Sequence, residues 1–286
     1  MKEAINMQSV EYLEKVTKRI KRDIIQLCSA NTGHPGGALG TAEIFAELYF
    51  SRLRHTPEQP DWEGRDRFIL SNGHICLALY SSLARSGYFD VEELATFRKI
   101  NSRLQGHPSR EDLPGVETAS GPLGQGLSIA NGVAMAQKLS NSDVNVYCLV
   151  GDGELQEGQI WEAMMTSAHH KLDNLALIIN WNNIQIDGKV NDVMNIEPID
   201  EKFKAFGWNV ISIDGHNLQE IKHAFDQFEK NEGSPTVIIS KTVLGNGISY
   251  MEHEAVWHGK APSEEEALLA LNEIGICGFA DDLVLK

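Results

Sequence analysis

Apolar residues near the start recur at helical spacing. Val10, Leu13, Val16, Ile20, Ile24 and Leu27 fall on one face of an amphipathic helix that ends near Asn31-Thr32-Gly33. Farther on, short continuous apolar runs replace that period. Phe68-Ile69-Leu70 and residues 144–150, 175–179, 210–213 and 236–239 are rich in Val, Ile and Leu and too short for helices, so they read as buried strands. Between them the pattern predicts helices over 41–53, 74–87, 125–139 and 158–170, and one starting at Asn217 with Glu220 in its first turn. Asp90-x-x-Glu93 and Ser263-x-x-Glu266 have capping-box spacing and open a short helix and the last helix. Residues 101–120 read as loop, and no internal repeat, low-complexity stretch or charged tail is present.

Strands alternating with helices predict an α/β fold, a mostly parallel sheet with helices on both faces. In such sheets ligands bind beyond the carboxyl ends of the strands. The unusual residues cluster there: Asn72-Gly73-His74 after Leu70, Gly151-Asp152-Gly153 after Val150, Asn180-Trp181-Asn182-Asn183 after Ile179, and a histidine-bearing loop after Ile239. If these strands are neighbours, all four loops open into one cleft.

Composition narrows the class. With 286 residues, 42% hydrophobic and 23% charged, the chain is long enough for one large or two small domains and is neither disordered nor fibrous. No run approaches the roughly 20 apolar residues that span a bilayer, and the leading residues lack the apolar core of a signal peptide. Together with four cysteines (Cys28, Cys76, Cys148 and Cys277) that show no CxxC spacing and read as reduced, buried small hydrophobes, this predicts a cytoplasmic protein. A net charge of −15 repels nucleic acid and anionic membranes, so neither is an expected partner, and any phosphate ligand must be held by local chemistry.

Familiar phosphate motifs are missing. There is no GxxxxGK[ST], and Gly151-Asp-Gly-Glu-Leu-Gln156 lacks the third glycine of GxGxxG. A carboxylate at Asp152 facing a diphosphate makes sense only with a metal between them. Mg²⁺ takes oxygen ligands, and Asp152, Asn182 and a carbonyl near Ile184 could supply three of them. Taken singly, GDG is a strand-to-helix turn and Asn182-Asn183 an Asx turn. Taken together, at two strand ends one helix and one strand apart, they point to a metal–diphosphate site.

His253-Glu-Ala-Val-Trp-His258 is not a zincin motif, because its histidines are five apart and do not share a helix face; His169-His170 reads as surface or packing. His34, His74, His107 and His258 each sit beside glycine or proline at a loop or element boundary. Such settings suit a pocket that binds hydroxyls and handles protons better than they suit packing.

These segments resemble the N-terminal part of transketolase, a thiamine diphosphate enzyme. The likeness rests on Gly33-His-Pro-Gly-Gly-Ala-Leu-Gly40, Leu70-Ser-Asn-Gly-His74, Gly121-Pro-Leu-Gly-Gln-Gly126 and the pairing of Gly151-Asp-Gly153 with Asn182-Asn183, and it runs from the first helix to Trp257-His-Gly259. The resemblance implies the thiamine diphosphate-binding fold, with residues 1–286 forming a single pyrophosphate-binding domain. It implies Mg²⁺, or Ca²⁺ or Mn²⁺ in its place, on Asp152, Asn182 and the Ile184 carbonyl. Gly153 and His74 would contact the diphosphate, while Gly121, Pro122 and Leu123 would face the aminopyrimidine. His34, His107 and His258 would line the donor-sugar site, and Glu157 would link cofactor sites across a subunit interface, unless it is simply a carboxylate favoured at a helix N-terminus. The implied reaction moves a two-carbon ketol unit from a ketose, or its phosphate, to an aldose, as in the pentose phosphate pathway.

Single-chain family members continue through a pyrimidine-binding and a C-terminal domain. Those regions carry the glutamate that activates the aminopyrimidine and the arginines that grip a sugar phosphate. The expectation is therefore one subunit of a split transketolase, paired with a C-terminal transketolase subunit that carries the pyrimidine-binding domain, in a heterotetramer. Two alternatives stand beside it. An alpha-type subunit of a 2-oxo acid dehydrogenase also has GDG…NN, but its substrate has no hydroxyls for SNGH, QGHP and WHG histidines to bind. A non-catalytic partner module has no physical reason to keep Asp152, Asn182 and four such histidines together.

Overall fold

The computed structural model describes residues 8–279 and 282–283; the leading residues 1–7, part of the segment that reads as lacking a signal peptide, lie outside them. The chain begins with α1 (Val10–Ala30), α2 (Pro35–Gly40) and α3 (Ala42–Glu47), which continues into a wider turn over Leu48–Arg52. Strand β1 (Arg67–Leu70) leads through a one-turn 3₁₀ helix (Gly73–Ile75) into α4 (Cys76–Arg85), then a 3₁₀ segment (Val91–Thr96) and a long loop reach α5 (Gly126–Leu139). Strand β2 (Val146–Gly151), a 3₁₀ turn (Gly153–Gln156), α6 (Gly158–His169) and β3 (Leu175–Trp181) follow. A small hairpin, β4 (Ile184–Gln185) and β5 (Gly188–Lys189), precedes α7 (Val190–Val193), α8 (Ile199–Ala205), β6 (Asn209–Asp214), α9 (Leu218–Lys230) and β7 (Thr236–Lys241). The chain closes with a 3₁₀ turn (Ala255–His258) and α10 (Glu264–Ile274).

All five strands of the main sheet are parallel, in the order β1-β2-β3-β7-β6. The β-branched runs place alternate residues on opposite faces, and each face has its own core. Tyr147, Leu149, Ala176, Ile178 and Ile238 pack with α1, α3, α4 and α9, while Val146, Cys148, Val150, Leu175, Leu177, Ile179, Val237 and Ile239 pack with α5, α6 and α8. The predicted α/β class and every predicted strand are present, and all four cysteines are free and buried. No helix among the described residues is long and apolar enough to cross a membrane.

Side-chain caps open α1, α9 and α10. Asn217 Oδ1 accepts Gln219 and Glu220 N–H at 3.1 and 3.3 Å, and Ser263 and Glu266 form the predicted reciprocal box. The other predicted box does not form. Asp90 caps nothing with its side chain, and Glu93 instead pairs with Arg103 at 2.6 Å, leaving a 3₁₀ segment rather than an α-helix. The helix expected over 41–53 is present as α3 and the wider turn over Leu48–Arg52, but a separate helix that the pattern did not predict comes before it, starting at Pro35. Proline suits a first helical position, and the two following glycines are held helical by tertiary contact. A Cβ on Gly36 would lie 2.7 Å from Leu244 and the Trp257 carbonyl, and one on Gly37 2.9 Å from Ile75.

Candidate functional site

The four strands β1, β2, β3 and β7 are consecutive in the sheet, so the loops at their carboxyl ends meet along one edge. Close packing of α2 on the Gly73–Ile75 turn and on residue 257 brings three of the predicted histidines together. The His34 and His74 ring centroids are 5.2 Å apart, His74 and His258 5.2 Å, and His34 and His258 5.9 Å. His107 stays at the exposed rim, its ring 3.7 Å from where a Cβ on Gly121 would lie.

Burial keeps this cluster neutral. It holds His34 down at about 4, assisted by the charges of His258, Arg98 and His107, and His74 down at about 3, assisted by the other three histidines. Burial also lowers His258, and burial with the Arg98 charge lowers His107. Each neutral ring can donate through one nitrogen and accept through the other. Four buried polar atoms here have no hydrogen-bond partner among the described residues: His34 Nδ1, His258 Nδ1, Asn72 Oδ1 and Ser120 Oγ. Unpaired buried polar groups are costly in a native fold, so their grouping at these loop ends is a set of atoms whose bonding a polar ligand could complete.

Beside the histidines, at the tip of β2, Asp152 is 2% exposed. Its Oδ1 accepts Gly153 N–H at 2.8 Å, and its Oδ2 accepts Asn182 N–H at 2.8 Å and also Asn183 N–H. Burial pushes this carboxyl up to about 6, against the pull of those backbone donors. The Asx turn expected of Asn182-Asn183 is formed, with Ile184 N–H donating to Asn182 Oδ1 at 2.8 Å and Asn183 at φ +58°. That amide oxygen keeps a second lone pair. Among the described residues no cluster of three or more His, Cys, Asp or Glu could hold a metal. A divalent ion at Asp152 would thus draw on one carboxylate, one amide and main-chain oxygen, and complete its shell from phosphate and water, which is the habit of Mg²⁺. The donor set fits a metal–diphosphate ligand.

The 121–126 loop packs over the same edge. Gly124 takes φ +82° with its Cβ position 2.7 Å from Glu157 Cβ, while Gly126 allows the Ser71 side chain to a distance no Cβ would permit (2.3 Å). Pro122, Leu123 and Glu157 are exposed on the outer side of this loop. Sequence reasoning missed the residue that binds the loop down. Glu154 is 3% exposed, and burial raises its pKa. Nothing in Gly153-Glu-Leu-Gln-Glu157 says that the first acid turns inward and the second outward. The difference arises because the 3₁₀ turn ends at Gln156 and Glu157 reverts to extended backbone (ψ 127°).

Residues 13–279 match the family model described as transketolase, thiamine diphosphate binding domain. The chain is 38% identical over 254 residues to a 6-deoxy-6-sulfo-D-fructose transketolase subunit of Clostridium sp. (strain MSTE9), covering 89% of this chain and 92% of that one. It is 40% identical over 269 residues to an apulose-4-phosphate transketolase subunit of Actinobacillus succinogenes, covering 93% and 97%. It is 37% identical to human transketolase over 94% of this chain but only 43% of that longer one. Among solved structures, transketolase from Campylobacter jejuni superposes with a TM-score of 0.85 at 38% identity, over 96% of this chain and 44% of that one.

Proposed function

The chain belongs to the transketolase family, matching its thiamine diphosphate-binding domain, and from that premise we propose that it is the cofactor-holding subunit of a ketol-transferring enzyme. The observation that carries this reading is the adjacency, along one sheet edge, of a buried Asp152 bonded to Asn182 and a neutral histidine cluster with unpaired nitrogens.

Asp152, Asn182 and the Ile184 carbonyl would hold Mg²⁺, or Ca²⁺ or Mn²⁺. Gly153 and His74 would contact the diphosphate, and backbone groups of Gly121, Pro122 and Leu123 would meet the aminopyrimidine. When bound, thiamine diphosphate supplies the nucleophilic carbon that a protein side chain cannot. The chain's own contribution is orientation and proton handling. His34, His107 and His258 bond the hydroxyls of a ketose or ketose phosphate, and the unpartnered Nδ1 atoms of His34 and His258 accept or return a proton as the carbon–carbon bond breaks. Neutrality at pH 7 is what lets these rings accept.

A second polypeptide carrying the pyrimidine-binding domain would complete the site, giving a heterotetramer. The subunit names of relatives matched along nearly their whole length support this, as does exposure of Glu157 and Leu123 on the outer side of the cofactor loop. The test is a coupled ketol-transfer assay with the chain alone and with that second polypeptide. Activity only in the mixture is expected, and full transfer by the chain alone overturns the split-site reading.

A further inference from the structure

Glu154 has no part in the contacts assigned above, yet its carboxylate gathers donors from three separate segments. Oε1 accepts the Ser71 hydroxyl, which follows β1, and Gly124 N–H at 2.8 Å, which precedes α5; Oε2 accepts Gly151 N–H at 3.1 Å, at the end of β2. Ser71 Oγ in turn accepts Gly126 N–H at 3.0 Å, so the loop over 121–126 is tied at two points. A carboxylate withdrawn from water without a cationic partner is tolerated where its oxygens satisfy charge-assisted bonds that no other group reaches.

We propose that Glu154 is a positioning residue that sets the span of the cofactor site, holding the 121–126 loop at a fixed distance from the Gly151–Gly153 turn. The inference rests on the thiamine diphosphate reading, in which those two segments receive the ring and the diphosphate. A glutamine at 154 has nearly the same shape but must turn an NH₂ toward either Gly151 N–H or the Ser71 and Gly124 donors, which breaks at least one tie and sets donor against donor. A ligand that touches both segments then loses affinity, while a ligand that occupies only the diphosphate end does not.

The experiment is calorimetric titration of the purified full chain in Mg²⁺ with thiamine diphosphate and, separately, with inorganic diphosphate. The wild type is expected to bind the coenzyme more tightly than inorganic diphosphate. Glu154→Gln should weaken the coenzyme by about tenfold or more while inorganic diphosphate stays within about twofold. Ser71→Ala, which removes one tie and leaves the carboxylate in place, should show the same selective loss and carries the test if Glu154→Gln does not fold. Wild-type coenzyme affinity in both variants, or equal loss of both ligands, overturns the positioning role. A wild-type chain that binds the coenzyme no better than inorganic diphosphate overturns the cofactor reading instead, before any variant is compared.

Discussion

The imidazoles of His74 and His258 lie 5.2 Å apart with their planes tilted by 32°, although the first follows the opening strand of the sheet and the second follows the last. Burial withdraws the rings from water and selects the neutral form; at His74 and at His34, which is edge-on to both, repulsion from the neighbouring imidazoles adds to it.

That constraint has a pH signature. His34 and His74 titrate near 4 and 3 in the fold, against about 6.5 in the unfolded chain. Below pH 6.5 the unfolded state binds protons that the folded state refuses, so stability from these groups is present above pH 6.5 and falls away as pH drops toward 4. Denaturant melts at pH 7.5, 6 and 5 should show falling stability. The double variant His34→Asn/His74→Asn should show a visibly shallower decline; an unchanged slope contradicts the assignment.

His258→Ala removes a ring proposed to handle protons without touching Asp152 or Asn182. In the proposed two-subunit enzyme, turnover should fall by about a hundredfold or more at saturating cofactor, with cofactor affinity little changed. Steady-state kinetics alongside cofactor titration separates the two; normal turnover with lost cofactor binding reverses the role given to this residue.

Two glycines on α5 should respond oppositely to the same substitution. A Cβ on Gly126 would fall 2.3 Å from Ser71 Cβ and 2.8 Å from its Cα, whereas one on Gly132 meets nothing within 4 Å. Gly126→Ala should destabilise the fold by about 1–3 kcal/mol through overpacking. Gly132→Ala should stabilise it by about 0.5–1 kcal/mol, as alanine does in an open helix interior. Urea unfolding midpoints of the isolated chain decide both signs.

Much of this arrangement was legible in the sequence because its signals are local. Runs such as Leu175 to Ile179 fit only a buried strand, and Ser263 with Glu266 specifies a helix start by itself. Features set by distant contacts were not legible. Gly36 and Gly37 disfavour a helix locally, and only packing against Leu244, Trp257 and Ile75 makes α2. The β4–β5 hairpin and α8 are too short to imprint a period. In the site, histidines beside glycine stood out as poor packing residues, and Asp152 stood out between two glycines. Glu154 did not, because its inward turn depends on where a single 3₁₀ turn stops.

On the proposed function, a divalent ion held by Asp152 and Asn182 anchors the diphosphate of the coenzyme. The most direct test is calorimetric titration of the full chain with thiamine diphosphate, in Mg²⁺ and in excess chelator, for the wild type and for Asp152→Asn. Saturable binding is expected only with the metal, weakened by more than about a hundredfold in the variant. Equal affinity in chelator, or an Asp152→Asn chain that binds like the wild type, would contradict it.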